Sequence, residues 1–314
     1  MNRRQFLLSA GAWVTVSDSA FASVKESRLG IAIPSYAIRS RLKRKEGFRD
    51  PIQFLSFIQQ RGAGGAQLPL GIREASYAKK VRALLEKHDL FLEGSLRTPR
   101  SKADVERFES EVRTAKASGA TILRTVMLGG RRYETFSKLD ELLAFRRRSM
   151  QSLQWAVPIL TRHRMKLAIE NHKDFRTDEL IQILRSIKSD VVGVCVDTGN
   201  NIALLEDALT MTKMLAPWAI SCHLKDMAVE ESRDGFLLSE VPLGTGLLDL
   251  SKISEVLKKA NPQIRFSLEM ITRDPLRISC LSEKYWATFP KVSGRELART
   301  LTWVRKNQPK TPLM

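Results

Sequence analysis

The chain has 314 residues, 43% of them hydrophobic, which excludes a disordered or low-complexity protein and allows a sizeable core. Its 52 Lys and Arg against 34 Asp and Glu give a net charge of +18, and three cysteines do not indicate a disulfide framework. The excess is concentrated in residues 1–150, with 29 basic and 15 acidic residues against 23 and 19 in residues 151–314. Such a field suits an anionic partner, or simply keeps a basic protein in solution.

The first 22 residues are set apart. Asn2-Arg3-Arg4-Gln5-Phe6-Leu7-Leu8 resembles a twin-arginine export signal. An apolar stretch runs on to Val16, and Ala20-Phe21-Ala22 has the A-x-A form of a cleavage site. The apolar run falls short of the ~20 residues that span a bilayer. We therefore expect residues 1–22 to be a signal peptide and residues 23–314 the mature, periplasmic or secreted protein, with no stable membrane anchor after cleavage.

Strand and helix patterns alternate from there to the end. Short runs rich in Val, Ile, Leu and Ala predict strands at 29–36, 64–69, 89–96, 121–128, 166–171, 191–197, 218–224 and 264–270, as expected of parallel strands buried on both faces. Helical patterns fill the intervals at 51–61, 74–88, 101–118, 138–163, 177–188, 203–215 and 249–260, with an eighth at 293–306. Asp50-Pro51, Ser101 with Asp104, and Thr177 with Asp178 and Glu179 are start signals, and Gly119 is a stop. Eight βα units without a linker predict a single-domain α/β protein, a (β/α)8 TIM barrel. An open doubly wound sheet is the other candidate, but Ile31-Ala32-Ile33-Pro34-Ser35-Tyr36 is not followed by a glycine-rich dinucleotide fingerprint.

The last four predicted strands each end on a polar residue behind core-forming ones: Leu167-Ala168-Ile169-Glu170, Val194-Cys195-Val196-Asp197, Ile220-Ser221-Cys222-His223 and Phe266-Ser267-Leu268-Glu269. A strand needs no carboxylate to fold, and burying one without compensation costs several kcal/mol. In a parallel barrel these ends converge on one rim. Glu170, Asp197, His223 and Glu269 are therefore candidate ligands of one divalent cation. Three oxygens and one nitrogen suit Mn²⁺, Mg²⁺ or Co²⁺ better than a structural zinc, which favours thiolates. Cys195 and Cys222 read as packed core thiols.

Ile169-Glu170-Asn171-His172, Asp197-Thr198-Gly199-Asn200, His223-Leu224-Lys225-Asp226, Gly244-Thr245-Gly246 and Ser267-Leu268-Glu269, in this order, resemble the xylose isomerase-like barrels, the sugar phosphate isomerase/epimerase superfamily. The resemblance implies one bound divalent cation, Mn²⁺ first and Mg²⁺, Co²⁺ or Zn²⁺ as alternatives. It also implies that Glu170 and Glu269 are an acid/base pair as well as ligands. Moving a proton at a carbon next to a carbonyl creates an enediolate, whose charge a Lewis-acidic metal stabilises. A carboxylate on each face can remove the proton from one side and return it from the other. The expected outcome is epimerisation or aldose–ketose isomerisation of a carbohydrate, with an anionic substrate a further option. β-Elimination on a 3-keto-glycoside uses the same enolate and is the nearest alternative.

Neighbouring residues each have two readings. His172 either bonds a sugar hydroxyl or supports Glu170. Lys225 either neutralises an oxyanion or pairs with Asp226. Asn200 and Asn201 either orient substrate or make the turn. Gly244 and Gly246 either admit a ligand to the backbone or form a plain loop. Tyr36, Arg273 and the Tyr285-Trp286 pair either contact the sugar or pack their loops. Arg39, Arg41, Lys43, Arg44, Lys45, Arg97, Arg100, Arg131 and Arg132 follow predicted strands, which places them on the rim side.

Two other classes compete. Apurinic endonucleases of the same superfamily resemble a multi-zinc site rich in histidine, whereas this chain has four His in all, and His88 and His163 fall in predicted helices. Specific nucleic-acid binding is therefore not expected. A non-catalytic carbohydrate-binding protein would be marked by a broken acid/base pair, and both Glu170 and Glu269 are present.

Overall fold

The computed structural model describes residues 29–35, 48–271, 274–289 and 293–309. The export signal, Tyr36, the basic run from Arg39 to Lys45 and Arg273 lie outside the described residues.

Eight parallel strands form the frame: β1 (Gly30–Ala32), β2 (Gly65–Leu68), β3 (Phe91–Ser95), β4 (Ile122–Thr125), β5 (Lys166–Glu170), β6 (Val192–Asp197), β7 (Ala219–Leu224) and, after an insertion, β10 (Arg265–Leu268). They close in the order β1-β10-β7-β6-β5-β4-β3-β2, so the predicted barrel is the fold. Around it lie α1 (Pro51–Gln59), α2 (Ala75–His88), α3 (Val105–Ala117), α4 (Arg132–Thr135), α5 (Leu139–His163), α6 (Thr177–Ile187), α7 (Ala208–Leu215), α8 (Leu250–Ala260), α9 (Glu283–Trp286) and α10 (Gly294–Asn307). Leu92, Leu123, Leu167, Ile169, Val194, Val196, Leu224 and Phe266 from the strands share one buried cluster with Phe54, Phe108, Leu153, Leu184 and Leu257 from the helices. Burial of this shell is the main apolar driving force.

Local signals set several boundaries. Asp50 caps α1 by accepting from the backbone N–H of Ile52 and Gln53, with Pro51 at the first helical position. Glu179 accepts from Arg176 N at 2.8 Å, closing the start of α6. Gly119, at φ +102°, ends the segment after α3. The predicted helix at 101–118 opens as a 3₁₀ turn over Lys102–Asp104. Ser101 makes no cap there; Asp104 instead accepts from Arg100 N and binds Arg107. The helix expected at 203–215 is broken by Leu205 at φ +62° into a 3₁₀ segment, Asn200–Leu204, and α7.

An insertion departs from the regular repeat. β8 (Asp226–Ser232) and β9 (Gly235–Val241) form a hairpin directly after β7, and β11 (Leu276–Ile278) adds to it antiparallel. The segment after β10, which carries the Tyr285-Trp286 pair, thus holds a strand and the short helix α9. Tyr285 and Trp286 pack there: the Tyr285 hydroxyl donates to Ala203 O, its ring stacks on Phe289, and Trp286 Nε1 donates to Cys280 O.

The lower end of the barrel is plugged. A Cβ placed on Gly30 or Gly65 would stand 2.2 or 2.4 Å from the ring of Phe91, so both strands need glycine there. Arg265 covers the same ring at 5.1 Å. Phe91 reaching β1 from β3 fixes its face of the strand as the lumen, and the two-residue period puts Glu93 there as well.

Candidate metal centre

Four neighbouring strand ends deliver the ligand set. Glu170 closes β5, Asp197 closes β6, His223 is the penultimate residue of β7, and Glu269 follows β10. Register aligns Asp197 and Ser267 with His223. One candidate ligand atom from each of the four lies within 4.8 Å of the other three, and all four residues are buried. His223 Nδ1 is 3.2 Å from Glu170 Oε2, 3.2 Å from Glu269 Oε2 and 3.8 Å from Asp197 Oδ2.

These residues fit a divalent cation. His223 Nδ1 is buried without a hydrogen-bond partner, a costly state that an ion would relieve, while Asp197 Oδ2 meets the Lys225 ammonium at 3.1 Å. Burial pushes the His223 imidazole down, but Cys195, Glu269 and Glu170 outweigh it and hold the group well above the ordinary histidine range. The pocket thus demands positive charge at that nitrogen, which a dication supplies. Burial raises Asp197 to about 6, with Glu170 and Glu269 adding to the rise against Lys225.

Each ligand is held from behind. Asp197 Oδ1 accepts from Gly199 N and Asn200 N, leaving Oδ2 to the centre. Asn171 bonds the Asp197 backbone through both ends of its amide, accepting from N and donating to O. Glu170 Oε1 accepts from Asn200 Nδ2 at 3.0 Å, and Asn200 Oδ1 accepts from Lys173 Nζ. Arg124 donates through Nε to Glu170 Oε2 at 2.6 Å. Against the rise from burial, Arg124 keeps the Glu170 carboxyl far below the ordinary carboxylate range.

Lys225 stands beyond β7 and binds three carboxylates: Asp197 Oδ2 at 3.1 Å, Glu269 Oε2 at 2.8 Å and Glu240 Oε1 at 3.4 Å. Burial opposes the charges here too, yet Lys225 holds Glu269 well below the ordinary carboxylate range. Asp226 is not its partner. That carboxylate accepts from the backbone N–H of Met227, Gly244, Gly246 and Leu248, so both glycines serve the loop after β9. Glu240 also accepts from Ile271 N, which ties the hairpin over the centre.

His172 donates through Nδ1 to Leu128 O at 3.0 Å, since a carbonyl can only accept. Burial lowers its pKa to about 4, so the ring is neutral and presents Nε2 as an acceptor. Asn201 bonds Glu206 and Asn171 and belongs to the turn. Of the basic residues expected on the rim, Arg132 is wholly buried and spans Glu179 and Thr288, while Arg131 pairs with Glu134 in its own turn. His163 pairs with Glu109 on the outer helices.

The sequence reading missed Arg124, Lys173, Glu240, Gln67 and Glu93. Arg124 and Glu93 carry the same signal as the four ligands, a charge inside an apolar strand (Ile122-Leu123-Arg124-Thr125, Phe91-Leu92-Glu93-Gly94). Glu240 lies on the unforeseen hairpin.

Known proteins place this centre in context. The sequence pattern of the family described as Xylose isomerase-like TIM barrel matches residues 56–295. A 3-oxo-isoapionate decarboxylase of Pectobacterium atrosepticum is 29% identical over 121 residues, 38% of this chain and 42% of the relative's length. Among solved structures, the apo 3-keto-D-glucoside 4-epimerase of E. coli superposes with a TM-score of 0.59 at 11% identity, covering 90% of this chain and 100% of that one. A Xylose isomerase-like TIM barrel protein of Mycobacterium smegmatis in complex with magnesium gives 0.57 at 17% identity, covering 88% and 98%. At these identities the superpositions establish the fold alone. Among the described residues no helix is long and apolar enough to cross a membrane.

Proposed function

Because the chain belongs to the xylose isomerase-like TIM barrel family, we propose that it is a divalent-metal-dependent isomerase or epimerase of a small carbohydrate, acting by proton transfer next to a carbonyl. One observation carries this reading: the buried Nδ1 of His223 lies within 3.2–3.8 Å of the Glu170, Glu269 and Asp197 carboxylates, and on this reading Glu170 and Glu269 are also the acid/base pair. Glu170, Asp197, His223 and Glu269 would hold the cation, with Mn²⁺ expected and Mg²⁺, Co²⁺ or Zn²⁺ as alternatives. The bound ion supplies Lewis-acid stabilisation of the enediolate oxygen.

The residues of the chain do the rest. Glu170 and Glu269 both start as carboxylates, since Arg124 and Lys225 hold them so. Either can take a proton from the carbon beside the carbonyl. Carboxylates held so low are weak bases, so abstraction would rely on the cation acidifying that carbon, while the protonated carboxyl would return its proton readily to the enediolate. Lys225 Nζ stands where it can neutralise a developing oxyanion, and His172 Nε2 can accept from a substrate hydroxyl. Tyr36 and Arg273 are further substrate contacts on this reading.

A second reading has the same centre cleave its substrate, either by β-elimination on a 3-keto-glycoside or by decarboxylation. It is favoured by the decarboxylase among the relatives.

The deciding experiment is NMR in deuterated water with Mn²⁺-reconstituted or Mg²⁺-reconstituted enzyme, across ketoses, keto-glycosides and 3-oxo sugar acids. Deuterium at the carbon next to the carbonyl with inversion or isomerisation supports the first reading. Loss of a leaving group or of CO₂ supports the second. No exchange with any substrate would overturn both. We also infer export from Asn2-Arg3-Arg4-Gln5-Phe6-Leu7-Leu8; cell fractionation that finds the unprocessed chain in the cytoplasm would reject it.

A further inference from the structure

Beneath the metal centre the lumen is polar, where barrels of this architecture are commonly filled by branched aliphatic side chains. His223 Nε2 lies 2.7 Å from Gln67 Oε1, Gln67 Nε2 donates to Glu93 Oε2 at 3.0 Å, and Ser221 Oγ donates to the same oxygen at 2.6 Å. Gln67 is 1% exposed, and Glu93, Ser221 and His223 are fully buried. The chain of bonds runs from β7 to β2 and β3 and back to β7. β3 and β7 stand opposite each other in the closed barrel.

We propose that Glu93 is a positioning residue that, through Gln67, fixes the tautomer of His223 and so presents Nδ1 as a metal ligand. Glu93 Oε2 already receives the Ser221 hydroxyl, so it acts as an acceptor, and the Gln67 amide must turn its NH₂ towards it. The Gln67 carbonyl then faces His223 and can only accept. With a cation bound, His223 would therefore carry its one proton on Nε2, which leaves the Nδ1 lone pair for the metal between the three carboxylates. With a Gln67 amide free to flip, either nitrogen could carry the proton, and the Nδ1–H tautomer binds no metal. Glu93 does not touch the ion or the substrate. It also accounts for a fully buried acidic side chain that the proton-transfer chemistry leaves unused.

The inference rests on the metal reading above, and the test separates the two. Mn²⁺ affinity is measured by competition with a chelator for wild type, Glu93→Leu and Glu93→Gln. In Mg²⁺-loaded, ¹⁵N-histidine-labelled wild type, NMR reads which His223 nitrogen carries the proton. We expect Nε2–H in wild type, affinity about 10- to 100-fold weaker in Glu93→Leu, the usual effect of losing such support, and affinity near wild type in Glu93→Gln, whose carbonyl can still accept. A folded Glu93→Leu protein with wild-type affinity would overturn the inference while leaving the metal reading intact. Should Glu93→Leu not fold, the wild-type spectrum decides, and a proton on Nδ1 rejects the proposal. A wild-type protein that binds no Mn²⁺ rejects the metal reading and this inference together.

Discussion

Arg124 on β4, partly buried, and Glu170 on β5, wholly buried, form an ion pair on the very oxygen that faces the centre. Arg124 Nε donates to Glu170 Oε2 at 2.6 Å, and the same atom lies 3.2 Å from His223 Nδ1. Truncating one partner of such a pair leaves the other uncompensated, typically at a cost of about 3–5 kcal/mol. Arg124→Met should therefore destabilise the metal-free protein by an amount of that order in urea unfolding. Saturating Mn²⁺ should recover part of the loss, because the cation then compensates Glu170. Equal losses with and without metal would mean that Glu170 is not a ligand.

Removing the ion should act on stability and activity together. A ligand bound to the folded state at 100 times its Kd adds about 2.7 kcal/mol. Dialysis against a chelator should lower the Tm and abolish turnover, with Mn²⁺ restoring both. Turnover that survives chelation would remove the Lewis acid from the mechanism.

Glu269→Gln keeps the size of the side chain and loses the base. At saturating Mn²⁺, we expect turnover and deuterium exchange to fall by about 10²- to 10⁴-fold, the range of a general acid/base group. Exchange that persists with inversion lost would instead leave Glu170 as the single working base.

His172 gives the protein an acid-sensitive element. Its pKa is about 4 in the folded state against an ordinary 6.5, because burial disfavours the charged ring. The unfolded chain therefore binds more protons between these values, and stability falls as pH drops from 6.5 towards 4. Above pH 6.5 the contribution is complete and flat. His172→Gln should show a shallower loss of stability across that window in pH-dependent urea unfolding.

Gly246 is confined by space. A Cβ there would stand 2.2 Å from Asp226 Oδ1 and 2.7 Å from Met227 O. Gly246→Ala should push Asp226 out of its cage of backbone N–H groups, at about 1–3 kcal/mol as for other overpacked sites. A wild-type Tm for this variant would show that the loop after β9 shifts freely.

The eight barrel strands and the clustering of the four candidate ligands were legible in the sequence for one physical reason. Each strand is a short apolar run, and a lone charge at its end has no folding purpose. The hairpin was less visible because β8 is half exposed and carries Glu230 and Glu231, so no apolar run marks it. Its turn does carry a signal: Arg233-Asp234 joins the strands and Gly235 follows at φ +145°, and an Asp-Gly pair commonly marks such turns. The links from Gln67 to His223 and from Ser221 to Glu93 were illegible. They join residues 156 and 128 positions apart, and depend on which side chains the closure of the barrel sets across the lumen.

The aromatic plug at the bottom of the barrel has a kinetic consequence. With Phe91 filling the space against Gly30 and Gly65, and the Arg265 guanidinium 5.1 Å from its ring, the lower end of the lumen is narrowed. On the proposed reading, ion, substrate and product would share the upper mouth. Bound substrate should slow the escape of the ion to a chelator, as a cork slows the draining of a bottle.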